Sequence, residues 1–313
     1  MSYLITHAPH LKDKLTVPHL IYGTMLALLP ATLAGIYFFG WRALGLIVTC
    51  VLTALATEFI ISKLMKKEVA ISDGSSALTG VLLALCLTPT LPYFAAILGT
   101  IFAIAIGKLL FGGLGYNIFN PALIGRAFLA AAFPVHMTNW IAPLAYRGVE
   151  SITAATPLAS MKFQHLSTPY WNLILGNVSG CIGETSALLL LVGGLVLTLW
   201  ARLWRIPLSY LGTVLVLGGV FWLINPSQFP DPLFHLLGGG LMLGAWFMAT
   251  DPVTSPVTKK GMWIFGIGAG ILVVVIRLFS GLPEGVMYSI LIMNAFVPLI
   301  NRYTRPRILG YKK

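Results

Sequence analysis

Charged side chains are scarce in this 313-residue sequence, and acidic ones are the scarcest. Asp, Glu, Lys and Arg together make up 9% of the residues, against about a quarter in soluble globular proteins. Hydrophobic residues make up 58%, and the mean hydropathy is +0.89. This composition excludes an ordinary soluble domain and predicts an all-α integral membrane protein.

Cysteine is also scarce. The three cysteines, Cys50, Cys86 and Cys181, are too widely separated for a metal site, and the six histidines do not cluster. We therefore expect no disulfide, no iron cluster and no other metal site. The chain has no glycine-rich dinucleotide fingerprint, so a nicotinamide cofactor would bind elsewhere.

What the sequence does contain is a series of apolar runs, most of them about as long as a membrane-spanning helix. Several are short and rich in glycine, which permits close helix packing or broken helices near a cofactor. We count ten such spans: Leu20–Phe39, Ala43–Ile61, Ser76–Leu87, Tyr93–Phe111, Ile118–Phe133, Ala187–Trp200, Leu208–Ile224, Leu233–Ala249, Met262–Phe279 and Val286–Ile300.

Five spans precede one long polar connection and five follow it, which suggests an internal repeat. Lys108 and the residues after it have a counterpart in Arg277 and its followers, and Thr88-Pro89 resembles the segment from Thr250 to Pro252. Because five is odd, two such repeats must be inverted relative to each other in the membrane. The predicted segments are 1–19, 20–133 (first five-helix repeat), 134–186 (polar loop), 187–300 (second repeat) and 301–313.

The net charge of +11 could suggest nucleic-acid binding, but the distribution of basic residues argues for membrane topology. With ten spans, one side of the membrane holds fifteen Lys and Arg residues and the other only Arg42, Arg147 and Lys162. The positive-inside rule then places both termini in the cytoplasm and the 134–186 loop outside. We expect a multi-pass protein of the cytoplasmic membrane whose surroundings are lipid, with no nucleic-acid partner.

The loop contains Ser151-Ile-Thr-Ala-Ala-Thr-Pro-Leu158, which predicts a small, exposed and sterically open turn. Pro157 disfavours a helical conformation at Thr156. Taken alone, these residues indicate nothing more than a turn. The spacing of Thr153 and Thr156 nevertheless resembles the flavinylation motif of the family formed by the Rnf D subunit and the Nqr B subunit, in which the last threonine carries FMN through a phosphoester bond.

A second polar segment, Gly115 to Arg126, begins the fifth predicted span. Asn117 and Asn120 are three residues apart, so one helical turn would place both amides on the same face, where they suit the edge of a flavin or quinone. The alternative is that Asn120, directly before Pro121, caps a helix. Read from the residues alone, the cap is the better interpretation.

This segment also resembles the Asn-Phe-Asn-Pro-Ala-Leu-x-Gly-Arg-Ala-Phe signature of the same family. Three further segments agree with the family and follow its order along the chain: Ser72–Gly80, Gly183–Leu188 and Thr250–Pro256. The resemblance covers about residues 20 to 305. The Nqr branch typically has a longer N-terminal region, so the chain is closer to the Rnf branch.

The resemblance implies a flavoprotein subunit of a complex that couples electron transfer from ferredoxin to NAD with the movement of Na⁺ or H⁺. Partners would be the FMN-bearing G subunit and the membrane-embedded A and E subunits. The resemblance further implies covalent FMN on Thr156, in an outer site shaped by Thr153, Pro157, Glu184, Thr185 and Ser186. A second, noncovalent flavin, riboflavin, would lie near the cytoplasmic side at Asn117, Asn120 and Arg126.

Charged residues within or beside spans are costly in lipid and are therefore functional candidates. For Glu58 and Arg277 we expect interhelical pairing or extension of the charge to the interface instead. Asp73 and Asp251 stand beside hydroxyl residues, where an ion path and helix capping explain them equally well. We expect no catalytic residue in the chain, because the flavin supplies the electron chemistry.

The residues also leave two alternative functions open. The chain could be the B subunit of an Nqr-type Na⁺-translocating NADH:quinone reductase. It could also be a solute channel, because inverted five-helix repeats are similar to the architecture of urea and ammonium transporters. A channel accounts for the spans but gives no reason for the threonine motif and the Asn-Pro-Ala segment to occur together.

Overall fold

The computed structural model describes residues 16–67, 71–145, 154–226 and 228–306. Regular secondary structure in these ranges is helical, as expected for an all-α protein. Within the described ranges, four helices are long and apolar enough to cross a membrane: α1 (Val17–Phe39), α2 (Trp41–Leu64), α10 (Arg205–Ile224) and α13 (Lys259–Phe279). A multi-pass membrane protein is the setting that suits so many apolar helices.

The other apolar helices are shorter. They are α3 (Ser75–Leu85), α4 (Tyr93–Ile104, continued by a π-helical turn to Leu109), α5 (Pro121–Ala132) and α9 (Ala187–Ala201). The last helix, α14, covers Val286–Tyr303. The described part of the long polar connection contains α6 (Pro134–Met137), α7 (Pro157–Gln164) and α8 (Tyr170–Leu175). Between α10 and α13 lie α11 (Pro232–Leu237) and α12 (Leu241–Leu243, continued by a π-helical turn to Met248).

Among the predicted spans, the eighth is interrupted, and the third and fifth are only partly helical. In the third, the helix ends at Leu85, because Pro89 and Pro92 lack the N–H group that a continuing helix needs. In the fifth, residues 118–120 are not helical and α5 starts at Pro121. In the eighth, the glycines 238–240 separate α11 from α12, and Gly239 has a φ of 68°.

Helices α1 and α9 pack closely and bring the two halves of the chain together. A Cβ atom on Gly193 of α9 would overlap the carbonyl oxygen of Ala27 in α1, so this position accepts no side chain. Small residues allow such close approach in a membrane protein, where van der Waals packing holds helices together.

Two charged contacts define the ends of the helix bundle. At one end, Lys108, which follows α4, contacts Glu58 of α2 and Ser75 of α3. At the other, Arg277 near the end of α13 donates to the backbone carbonyls of His235 and Gly238. We call these the Lys108 end and the Arg277 end. The Glu58 contact confirms the expected interhelical pairing.

Candidate functional site

Thr156 lies at the Arg277 end and is the N-cap of α7. Its backbone is extended (φ −68°, ψ 152°), as Pro157 requires, and its Oγ1 accepts a hydrogen bond from the N–H of Ala159 at 3.3 Å. The expectation of an exposed turn is wrong, because Thr156 is only 8% exposed. The motif nonetheless places its last threonine at the positive end of a helix, where an attached phosphate is favoured. Thr153 lies outside the described residues.

Helix α7 is fixed to the rest of the protein by polar and apolar contacts. The ammonium group of Lys162 donates to the carbonyls of Arg277, Ser280 and Leu282, at 2.5 to 2.9 Å. These are carbonyls at and beyond the end of α13, where a cation is stabilising. An apolar cluster also joins this region: Leu158, Leu173, Val178 and Phe234.

Glu184 makes a buried ion pair with Arg126. The Arg126 guanidinium is 3.4 Å from Glu184 and 3.1 Å from Glu284, and Glu184 is 7% exposed. Glu284 also accepts from the N–H of Gly240 at 3.0 Å. The structure thus brings together two residues that the sequence assigned to different flavin sites, and it adds Glu284, which sequence reasoning missed.

The two residues after Glu184 have different surroundings. Ser186 caps α9 by accepting from the N–H of Leu189, and its hydroxyl donates to the carbonyl of Ile174. Thr185 is 1% exposed, and its hydroxyl has no hydrogen-bond partner among the described residues. A buried hydroxyl without a partner is costly, so Thr185 is the member of this segment with unused capacity for a ligand.

At the Lys108 end, a cleft with a cavity volume of about 60 Å³ lies between the two halves of the chain. Its polar wall includes both asparagines of the second motif, and Arg126 is absent from that wall. The polar or charged residues that line it are Thr24, Ser75, Thr79, Lys108, Asn117, Asn120, Thr198, Thr250 and Asp251.

The two asparagines differ in what they offer a ligand. The side-chain oxygen of Asn120 caps α5 by accepting from Ala122 and Leu123, and its amide nitrogen donates to the carbonyl of Met248. The capping interpretation is therefore confirmed for Asn120. Asn117 donates to the carbonyl of Phe119, but its oxygen is buried without a partner in the described part of the chain. The Asn117 oxygen therefore has unused capacity to accept a hydrogen bond.

Asp73 and Asp251 also lie toward the Lys108 end, and both act as local caps. Asp73 accepts from the N–H and the hydroxyl of Ser75, at 2.8 and 2.6 Å. Asp251 accepts from Thr254 at 2.9 Å and lines the cleft, whereas Asp73 does not. Within the described ranges no group of three His, Cys, Asp or Glu residues could hold a metal ion.

Lys108 is the main residue of this cleft that sequence reasoning did not assign. Its side chain is 2% exposed, which is rare for lysine. The sequence indicated Lys108 only as the counterpart of Arg277. Its place at the end of an apolar run, 50 residues after Glu58, was the available signal, because buried charges require partners.

The family model described as the NQR2, RnfD, RnfE family matches residues 4–310 of this chain. The chain belongs to this family. The match confirms the resemblance drawn from the motifs.

Curated relatives are similar to this chain along its whole length. The D subunit of a Proton-translocating ferredoxin:NAD(+) oxidoreductase complex from Clostridium ljungdahlii is 44% identical, over 99% of this chain and 97% of its own length. The D subunit of a Na(+)-translocating ferredoxin:NAD(+) oxidoreductase complex from Acetobacterium woodii is also 44% identical, over 100% of this chain and 97% of its own length. The D subunit of an Ion-translocating oxidoreductase complex from Salmonella paratyphi A is 38% identical over the full length of both. All three belong to ion-translocating oxidoreductase complexes, which supports the Rnf branch.

Proposed function

We propose that this chain is the D subunit of an ion-translocating ferredoxin:NAD⁺ oxidoreductase complex and carries electrons through FMN bound covalently to Thr156. The observation that carries the proposal is the full-length similarity to D subunits, in a chain that also contains the complete Thr153-Ala-Ala-Thr156 motif. The two relatives at 44% identity are named for different ions, so the proposal includes either Na⁺ or H⁺.

The position of Thr156 fits a phosphoester. Its hydroxyl is at the N-terminus of α7, and the side chain of Lys162 is about one and a half turns further along. The helix terminus favours the negative charge of the phosphoester. Because Thr156 is 8% exposed, flavin transfer requires either that α7 open locally or that attachment precede its final packing.

The polar lining of the cleft at the Lys108 end supports a second, noncovalent flavin, and the cavity volume of about 60 Å³ means that the helices must separate to admit one. Asn117 has an unpaired acceptor oxygen, and the wall also contains apolar residues such as Leu197 and Phe247. Asn120 would act through the backbone of α5 that it caps. Riboflavin is the candidate that the family resemblance suggests. A bound flavin supplies the electron chemistry, and the protein residues supply position and charge.

We extend the proposal to the arrangement in the membrane: ten segments as two inverted repeats, with cytoplasmic termini and Thr156 outside. The matched positions Lys108 and Arg277 support it, because each lies near the end of the fourth span of its half and contacts the third span of that half. In this arrangement the Lys108 end faces the cytoplasm. The proposed partners are the G subunit, which carries its own FMN, and the membrane-embedded A and E subunits.

In-gel fluorescence tests the proposal. The purified protein is denatured, separated by electrophoresis and viewed under ultraviolet light, because a phosphoester-linked flavin stays attached. We expect a fluorescent band at the mass of this chain. A dark band would contradict covalent attachment of FMN to this chain. To separate the Rnf from the Nqr alternative, membranes are assayed for ferredoxin-dependent NAD⁺ reduction and for quinone reduction by NADH; only the first is expected.

A further inference from the structure

An apolar groove runs along the outer surface of the bundle between α10 and α13, two helices long enough to span a membrane. It has a volume of about 400 Å³. Each wall is a row of residues spaced four apart, which places them on one face of their helix. The rows are Leu208, Gly212 and Val216 on α10, and Trp263, Ile267 and Ile271 on α13. Each row is about 12 Å long, most of the roughly 15 Å depth of one leaflet.

Gly212 keeps the middle of the α10 wall open. A Cβ atom on Gly212 would meet no heavy atom within 4 Å among the described residues. The glycines of α13 are different, because a Cβ atom on Gly266 or Gly270 would overlap Ser209 or Thr213 of α10. Those two glycines let the helices pack closely, whereas Gly212 has no such role within the described part of the chain. Glycine disfavours a helix relative to alanine, so its place here suits an occupant from outside the chain.

The inside of the groove offers apolar contact only. Ser209 and Thr213 are the polar residues among those that line it. Their hydroxyls donate to backbone carbonyls one turn earlier in α10, those of Arg205 and Ser209, at 2.8 and 2.7 Å. These hydroxyl protons are therefore already used within the helix. A hydrocarbon chain is the kind of occupant that such a lining favours.

The groove opens toward the Lys108 end, and its mouth is aromatic and basic. The ring of Trp263 packs edge-to-face against Trp204, at 6.2 Å, and the guanidinium of Arg205 lies 4.9 Å from the Trp204 ring. Lys259 and Lys260 are one helical turn before Trp263 and therefore on its side of α13. Among the described residues none of these three cations forms an ion pair. Tryptophan and unpaired cations together are typical of the headgroup level of a membrane.

We propose that this groove is a binding site for one anionic phospholipid of the leaflet at the Lys108 end. One acyl chain lies along the groove, over Gly212, and the phosphate lies at the mouth beside Arg205, Lys259 and Lys260. The indole N–H of Trp263 donates to the phosphate or to an ester oxygen. A helix of a neighbouring subunit is the rival occupant. The three cations favour the lipid, because its phosphate supplies the negative charge that they lack.

Native mass spectrometry of the purified complex tests the site. The complex, with wild-type or variant chain, is delipidated in detergent and titrated with phosphatidylglycerol or phosphatidylcholine, and bound lipids are counted. Gly212→Leu fills the groove from α10, where the added Cβ atom has open space, and Ile271→Phe fills it from an exposed position of α13. We expect each to remove one bound phosphatidylglycerol per complex. The melting temperature without lipid shows that both variants are folded.

The charge at the mouth has its own variant and controls. Wild-type protein should prefer phosphatidylglycerol to phosphatidylcholine at this site on the order of tenfold, and Arg205→Gln with Lys260→Gln should abolish the preference. Lys63→Gln is the matched control, since Lys63 is also an exposed cation beside an aromatic ring, 5.7 Å from Phe59, but lines no groove. Ile101→Phe adds bulk at an exposed position of α4. Both controls should bind lipid as the wild type does.

Three results would overturn the lipid site. The first is equal affinity of the wild-type complex for the two lipids, which would remove the role of the basic mouth. The second is an unchanged count of bound phosphatidylglycerol in both groove-filling variants. The third is loss of a neighbouring subunit from the Gly212→Leu and Ile271→Phe complexes without loss of lipid, which would assign the groove to a helix of that subunit. Covalent flavin should be the same in all variants, so the proposed function is tested independently.

Discussion

Lys108 donates a hydrogen bond to Glu58 at 2.6 Å, although the two side chains are only 2% and 4% exposed. The same ammonium group donates to the hydroxyls of Ser75 and Ser76, at the start of α3. One charge thus joins three helices. The second carboxylate oxygen of Glu58 has no partner among the described residues. The buried negative charge of Glu58 is therefore compensated by Lys108.

We expect Lys108→Met to destabilise the protein by about 3–5 kcal/mol, because it leaves Glu58 buried and unpaired. Glu58→Gln with Lys108→Met should recover part of this loss, since the uncompensated charge is gone. Thermal unfolding in detergent, run as a double-mutant cycle, measures the coupling. Equal stability of the single and double variants would contradict the buried pair.

Thr156→Ala should abolish covalent flavin, because alanine has no hydroxyl to form the phosphoester. Thr156→Ser should retain some. Loss of the cap itself costs about 1 kcal/mol, too little to unfold the protein. Thr168→Ala, in the same connection, is the matched control and should keep full flavin. Peptide mass spectrometry identifies the residue that carries the flavin. Covalent flavin on the Thr156→Ala protein would contradict the assignment of Thr156.

Asn117 and Asn120 should respond differently to replacement by leucine. Asn117→Leu removes the unpaired acceptor of the cleft, so we expect loss of noncovalent flavin with full covalent FMN at Thr156. Asn120→Leu removes the cap of α5, worth about 1 kcal/mol, and the contact to Met248. It should lower the melting temperature as well as flavin content. Flavin released on denaturation, quantified by chromatography, is the measure. If the wild-type protein releases none, the second site is wrong.

Cysteine labelling can establish the topology with little background, because Cys50, Cys86 and Cys181 are all buried. Gln164→Cys, at an exposed position of α7, should react in intact cells with a reagent that does not cross membranes. Met65→Cys, at the Lys108 end, should react only after permeabilisation. The reverse pattern would invert the proposed orientation and place the Thr156 loop in the cytoplasm.

Arg126→Gln should destabilise the Arg277 end of the bundle by about 3–5 kcal/mol, because Glu184 would stay buried without its cation. Glu184→Gln combined with Arg126→Gln should be milder. If Arg126 instead served the cleft at the Lys108 end, its loss would reduce noncovalent flavin without this change in stability. Unfolding and flavin release, measured on one sample, distinguish the two roles.

Much of this molecule could be predicted from the sequence because the signals are local. The apolar runs predict helices and membrane insertion, since lipid leaves the backbone few alternatives. The Asn120-Pro121 pair predicts the start of α5, because an N-cap before a proline depends only on neighbouring backbone groups. The motifs identify the family for the same reason, as each is a short contiguous string.

Only the tertiary structure decided which distant groups meet. Arg126 is nearer in sequence to Asn120 than to Glu184, yet it pairs with Glu184, because α5 carries it about 9 Å along the helix axis toward the Arg277 end. The unpaired oxygens of Asn117 and Thr185 likewise could not be found from sequence. Whether a polar atom is satisfied depends on every helix packed around it, whereas hydropathy and capping depend on the residue and its near neighbours.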